Sequence, residues 1–253
     1  MRGLLLSLAL LSGAAAAPAA PPPFQDNMAQ RTLACTSCHG AEGRAGPDGY
    51  YPRIAGKPAG YLYNQLLNFR DGRRHYGLMS GLLDTLSDPY LADIAQYFAD
   101  LDLPYPAPQA PTGTPEMLQR GREIALKGDT ERRLPACASC HGQALTGVAP
   151  GVPGLLGLSR DYLNAQLGAW RTGQRRALAP DCMAEIARRL TPEDLSSVTS
   201  FLAAERLPAN AKPVGVEAAK PVRRGRKAQP APAAEPPAMR CGAAPLPVAG
   251  AAR

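Results

Sequence analysis

Two pentapeptides constrain this chain more than anything else in it: Cys35-Thr36-Ser37-Cys38-His39 and Cys137-Ala138-Ser139-Cys140-His141. Both read Cys-x-x-Cys-His. At that spacing two thiols one helical turn apart add to the two vinyl groups of one porphyrin, and the adjacent histidine meets the iron. A thioredoxin-type redox pair lacks the histidine and sits in a βαβ pattern, and a zinc site needs four ligands placed otherwise. The motifs therefore predict two covalently bound c-type haems. Cys35, Cys38, Cys137 and Cys140 are the attachment points, and His39 and His141 the proximal ligands.

The likeness between the halves runs well past the motifs, so the chain is an internal duplication. Pro52–Gly56 (PRIAG) matches Pro153–Gly157 (PGLLG), and Tyr61, Gln65, Phe69-Arg70 and Gly72 match Tyr162, Gln166, Trp170-Arg171 and Gly173 at one constant offset. After a short gap Met79 pairs with Met183, Leu86-Ser87 with Leu190-Thr191, and Tyr97-Phe98 with Phe201-Leu202. Each unit reads as helical. Ser87 and Thr191 stand at N-cap positions, Asp194 completes a capping-box pattern, and apolar residues recur at helical spacing behind them. Thr114-Pro115 opens a further helix that Gly128 closes, and Gly121 within it lets the backbone pass close to Phe201. No strand with an alternating pattern stands out. The expected fold is all-α, with two tandem domains over 21–106 and 107–207 joined by a Pro/Ala linker.

The ends read differently. Arg2, the apolar run Leu4–Leu11 and the alanines that follow form a secretory signal peptide over 1–20, which implies export to the oxidising periplasm. Residues 208–253 are rich in Pro and Ala and carry Arg223-Arg224-Gly225-Arg226-Lys227. They offer too little apolar surface to offset ordering entropy, so a disordered basic tail is expected, the readings open to it being a tether to anionic lipid or an acidic partner and a solvated tail with no partner. The formal net charge of +7 resides there and in Arg2. Residues 25–207 balance 19 basic against 19 acidic side chains, which argues against a nucleic-acid-binding face.

Activity depends on the sixth iron ligand, because a five-coordinate haem does chemistry and a six-coordinate one passes electrons. Met79 lies 40 residues after His39 and Met183 lies 42 after His141, each just ahead of the last helix of its unit. That matched placement makes Met79 and Met183 the candidate axial thioethers. Arg70, Arg73 and Arg74, with Arg171, Arg175 and Arg176, shortly precede each methionine. Arg70, Arg73, Arg171 and Arg175 are the candidate contacts to anionic haem propionates. His75, without a counterpart in the second unit, reads as an exposed or propionate-contacting histidine. Cys182 and Cys241 are left over. A disulfide between them is the simplest reading in an oxidising compartment; free thiols, and Cys182 as an iron ligand, are the alternatives.

These residues together, from both Cys-x-x-Cys-His motifs through YLYNQL, FRDGRR, YLNAQL and WRTGQRR to the two Met-then-helix endings, resemble the dihaem cytochromes c of the cytochrome c4 type over Phe24 to Leu207. The resemblance implies two cytochrome c domains related by a pseudo-twofold, with facing haems. It also implies periplasmic transfer of single electrons from a donor such as a quinol-oxidising complex to a terminal oxidase or other acceptor. The competing expectations are a dihaem enzyme of thiosulfate oxidation or peroxide reduction, and the cytochrome subunit of a periplasmic dehydrogenase.

Overall fold

The structure is a computed structural model in which residues 23, 25–216 and 240–247 are described. The leader expected over 1–20 and the rest of the tail lie outside those residues. Domain 1 contains α1 (Met28–Arg31), α2 (Leu33–His39), a 3-10 turn (Ala41–Gly43), α3 (Ala59–Arg70), α4 (Gly77–Leu83) and α5 (Asp88–Asp100). Domain 2 contains α6 (Pro115–Lys127), α7 (Cys137–His141), α8 (Arg160–Thr172), α9 (Cys182–Arg189) and α10 (Pro192–Ala204). The all-α expectation holds. The strands among the described residues are two-residue pieces, β1 (Gly147–Val148) and β2 (Val152–Pro153), paired antiparallel in the loop after α7.

Local chemistry sets the helix ends. Thr114 caps α6 by accepting the Met117 N–H, and Gly128 closes it at φ 76°, a conformation that costs a residue with a side chain. Ser159, Asp181 and Thr191 cap α8, α9 and α10 through their side-chain oxygens. Two expectations need correcting. Ser87 occupies the N-cap of α5 without a side-chain hydrogen bond. Asp194 turns away from a capping box, because its carboxylate accepts from Arg120 and Arg132 instead. Two charged donors hold a carboxylate more strongly than one neutral amide does.

Each domain closes on its own core. In domain 1 Leu91 and Phe98 of α5 are buried against Leu62, Tyr63 and Leu67 of α3, with Leu83 of α4. In domain 2 Val198, Phe201 and Leu202 of α10 pack on Ile124 of α6 and on Leu163 and Leu167 of α8. Each fully buried large apolar side chain contributes about 1.5–3 kcal/mol. α6 crosses α10 at Gly121, where a Cβ would fall 2.1 Å from the Ser197 carbonyl oxygen and 2.9 Å from Phe201 Cβ.

The domains meet through hydrogen bonds distributed on both sides of the seam. Arg74 and Arg175 form an antiparallel bridge, extended by Arg176 N–H to Arg73 O at 2.7 Å and His75 N–H to Gln174 O at 3.1 Å. Ser159 Oγ donates to Gly49 O at 2.6 Å, and Tyr61 N–H to Pro150 O at 3.2 Å. The linker is pinned: the buried Arg53 donates to Leu103 O and Pro104 O, and its guanidinium lies 4.0 Å from the Tyr105 ring centroid.

The expectation of a disordered tail does not hold for two stretches. Residues up to 216 lie on domain 2, where Val214 bridges Val148 in parallel and exchanges hydrogen bonds with Gly147 and Ala149. Residues 240–247 begin at a Cys182–Cys241 disulfide, and Gly242 N–H donates to Pro180 O at 2.9 Å. They then cross to domain 1. There Ala244 N–H donates to Asn64 Oδ1 at 2.7 Å, Asn64 Nδ2 donates back to Ala244 O at 2.9 Å, and Leu246 packs on the core. A covalent tether, the paired hydrogen bonds of the Asn64 side chain with the Ala244 backbone and the packing of Leu246 order a stretch whose composition alone would not.

Candidate haem sites

Both Cys-x-x-Cys-His motifs coil into short helices, α2 and α7, that bring the two thiols of each motif to one side and end on the histidine. None of the four thiols is in a disulfide. Burial pushes the Cys137 thiol up to about 11 and raises Cys35 as well. Both histidines are buried, His39 at 8% and His141 at 6% exposure. His39 Nδ1 lies 2.8 Å from Pro52 O, and His141 Nδ1 lies 2.7 Å from Pro153 O. A carbonyl accepts only, so Nδ1 carries the proton and Nε2 keeps its lone pair for a metal. Burial holds both imidazoles below their ordinary basicity, against the pull of the carbonyl. The neutral form is the one that ligates.

The prolines whose carbonyls orient the imidazoles open the PRIAG and PGLLG segments. The sequence displayed these as a repeat without disclosing what they do, since a backbone acceptor leaves no side-chain signature. Met79 sits in α4 and Met183 in α9, each half-buried and packed on the core of its own domain. Cys182 is in a disulfide, which removes the alternative of a thiolate ligand beside Met183.

The arginines divide. Arg70 bonds Asp71, Asp88 and Leu86 O; Arg73 bonds Asn68 and Asp71; Arg171 holds Leu190 O at the start of the last helix. These three serve their own domains' loops. Arg175 behaves differently, and so does Arg74, its repeat mate on the Arg73-Arg74 step. Both are buried, at 4% and 9% exposure, and both meet neutral acceptors only. Arg74 donates to Gln65, Gln166 and Tyr162; Arg175 donates to Gln166, Gln65 and Tyr61. Each guanidinium lies over an aromatic ring, Arg74 over Phe69 at 4.3 Å and Arg175 over Trp170 at 3.7 Å. Burial and the neighbouring Arg74 charge hold Arg175 below its ordinary value. Trp170 Nε1 is a buried donor without an acceptor among the described residues. Two buried cations lacking a carboxylate and one orphaned donor suit an anionic, carboxylate-bearing group, as haem is. The donor set fits haem. His75 is exposed.

No protein-family model matches the chain. A thiosulfate dehydrogenase electron acceptor from Thiomonas intermedia is 38% identical, covering 79% of this chain and 88% of that protein. Cytochrome c4 of Pseudomonas aeruginosa is 32% identical over 80% of this chain and 98% of its own length. Among solved structures, reduced cytochrome c4 from Pseudomonas stutzeri superposes with a TM-score of 0.62 at 28% identity, covering 71% of this chain and 97% of that one. Thiosulfate dehydrogenase from Marichromatium purpuratum gives 0.61 at 33% identity over 68% of this chain; the chain spans 36% of that longer protein. Such a fold, duplicated around two orientable histidines, together with these relatives, defines the class of dihaem c-type electron-transfer cytochromes. The chain belongs to the cytochrome c4 family, whose members carry two covalent c-type haems.

Proposed function

We propose that this chain is exported to the periplasm and there carries single electrons from a thiosulfate-oxidising dehydrogenase to a terminal oxidase. The observation that carries the donor is the 38% identity to two proteins named as thiosulfate dehydrogenase electron acceptors, above the 32% to a cytochrome c4. The compartment rests on the signal-peptide pattern and on the disulfide, which an oxidising milieu preserves.

Each haem, when bound, supplies a one-electron ferric–ferrous couple. Cys35 and Cys38 hold one and Cys137 and Cys140 the other, so neither is lost on redox cycling. Pro52 and Pro153 fix the tautomer and tilt of His39 and His141. Met79 and Met183 would supply a thioether to each iron, which would favour the ferrous state and keep small reactants off the metal. Arg74, Arg175 and Trp170 Nε1 are the donors that would hold the propionate carboxylates. The protein's work is positioning and tuning.

A pyridine haemochrome assay on the exported protein is expected to give two c-type haems per chain. The oxidised protein should be reduced promptly by thiosulfate plus a thiosulfate dehydrogenase, and by neither alone. Reduction only by a quinol-oxidising complex would move the donor to that class. Prompt binding of carbon monoxide or cyanide by the native protein, or thiosulfate turnover by the chain alone, would overturn the carrier reading.

A further inference from the structure

Lys57 is 4% exposed, and none of the ion pairs among the described residues includes it. A buried ammonium without a carboxylate is costly and calls for an explanation. Its Nζ leaves domain 1 and donates to Gly154 O of domain 2 at 3.2 Å. Gly154 follows Pro153, whose carbonyl accepts from His141 Nδ1 at 2.7 Å. Around Lys57 stand Arg53, which adds positive charge, and Tyr105, whose ring centroid is 5.9 Å from Nζ.

We propose that Lys57 is a redox-tuning residue through which domain 1 raises the reduction potential of the iron bound by His141 in domain 2. The proposal rests on the haem-site reading above. Oxidation adds one positive charge at the iron, and an ammonium in a poorly screened interior opposes it, so the ferrous form is favoured. The same ammonium anchors the peptide next to the one that orients His141. The arrangement is one-sided. Leu158 occupies the repeat position of Lys57, so domain 2 returns no amine toward His39. The cation bearing on His39 is Arg74 of the same domain, whereas the one bearing on His141 comes from the neighbour.

The test is spectroelectrochemistry of the full, haem-loaded chain, each haem followed by its own paramagnetically shifted methyl resonances. Lys57→Gln keeps a donor for Gly154 O and removes the charge; Lys57→Met removes both. In each, the reduced-to-oxidised ratio of the domain 2 haem at fixed applied potential should fall on the order of tenfold, equivalent to about 59 mV for a one-electron couple. The domain 1 haem should stay put, and Lys57→Arg should restore the domain 2 value. An unmoved domain 2 haem, an equal shift of both haems, or failure of Lys57→Arg alongside intact Lys57→Gln would overturn the proposal. Fewer than two haems in the unsubstituted protein would instead sink the haem-site reading beneath it.

Discussion

Gly121 and Ser197 approach so closely that a Cβ on residue 121 would fall 2.1 Å from the Ser197 carbonyl oxygen. Backbone cannot move aside as a flexible side chain does, so Gly121→Ala must push α6 off α10. Loss of that packing should cost domain 2 about 2–4 kcal/mol. For a domain of this size the melting temperature should fall by roughly 10–20 °C. Differential scanning calorimetry checks this, and a transition within a degree or two of wild type would contradict the packing.

Met79 and Met183 sit on α4 and α9, at matched positions of the repeat. Replacing Met79 by Ala should remove the near-infrared sulfur-to-iron band of the domain 1 haem, lower its potential and open it to cyanide. Met183→Ala should do the same in domain 2 alone. Unchanged spectra and potentials in either variant would show that another group fills that coordination position.

Much of this was legible before any coordinates. Cys-x-x-Cys-His is a chemical constraint on a few consecutive residues, so local sequence suffices to locate it. The α6 boundaries follow from Thr114, Pro115 and Gly128, whose conformational preferences act within one turn. What escaped depends on contacts distant in the chain. Gln65, Tyr61 and their repeat mates stood out as a pattern, but only docking turns them toward Arg74 and Arg175. Lys57 carries no mark in the sequence, because its burial comes from contact with Gly154 of the second domain. In the tail Cys241 disclosed one anchor, the disulfide to Cys182, whereas the hydrogen bonds of the Ala244 backbone to Asn64 leave no signal in the sequence.

Cys241 ties residues 240–247 to α9 one residue before Met183, and Ala244 then bonds Asn64 of domain 1. Cys241→Ser should free this strap. A disulfide closing a loop of this length contributes typically 2–4 kcal/mol. Proteolysis after residue 207 should accelerate, and the separation between the two haem potentials should change as the crossing contacts are lost. Because the strap does not supply Met183, its sulfur-to-iron band should survive. Disappearance of that band would mean that the disulfide holds the ligand helix itself.

Asp129 and Asp194 share Arg120 and Arg132 at the base of domain 2. Hydrogen bonds from both arginines hold Asp129 well below the ordinary aspartate value of 3.8. At Asp194 burial raises the carboxyl, but the same two arginines outweigh it and the net direction is down. With both folded values depressed, the unfolded chain takes up protons first as the solution is acidified. The stabilisation is therefore complete above the ordinary carboxylate range and is lost as pH falls through 3.8 towards the folded values. Asp194→Ala should lower domain 2 stability at neutral pH by about 2 kcal/mol and flatten its pH dependence between 5 and 2. Calorimetric melts of wild type and variant across that range check this, and parallel curves would show that the cluster contributes nothing to acid sensitivity.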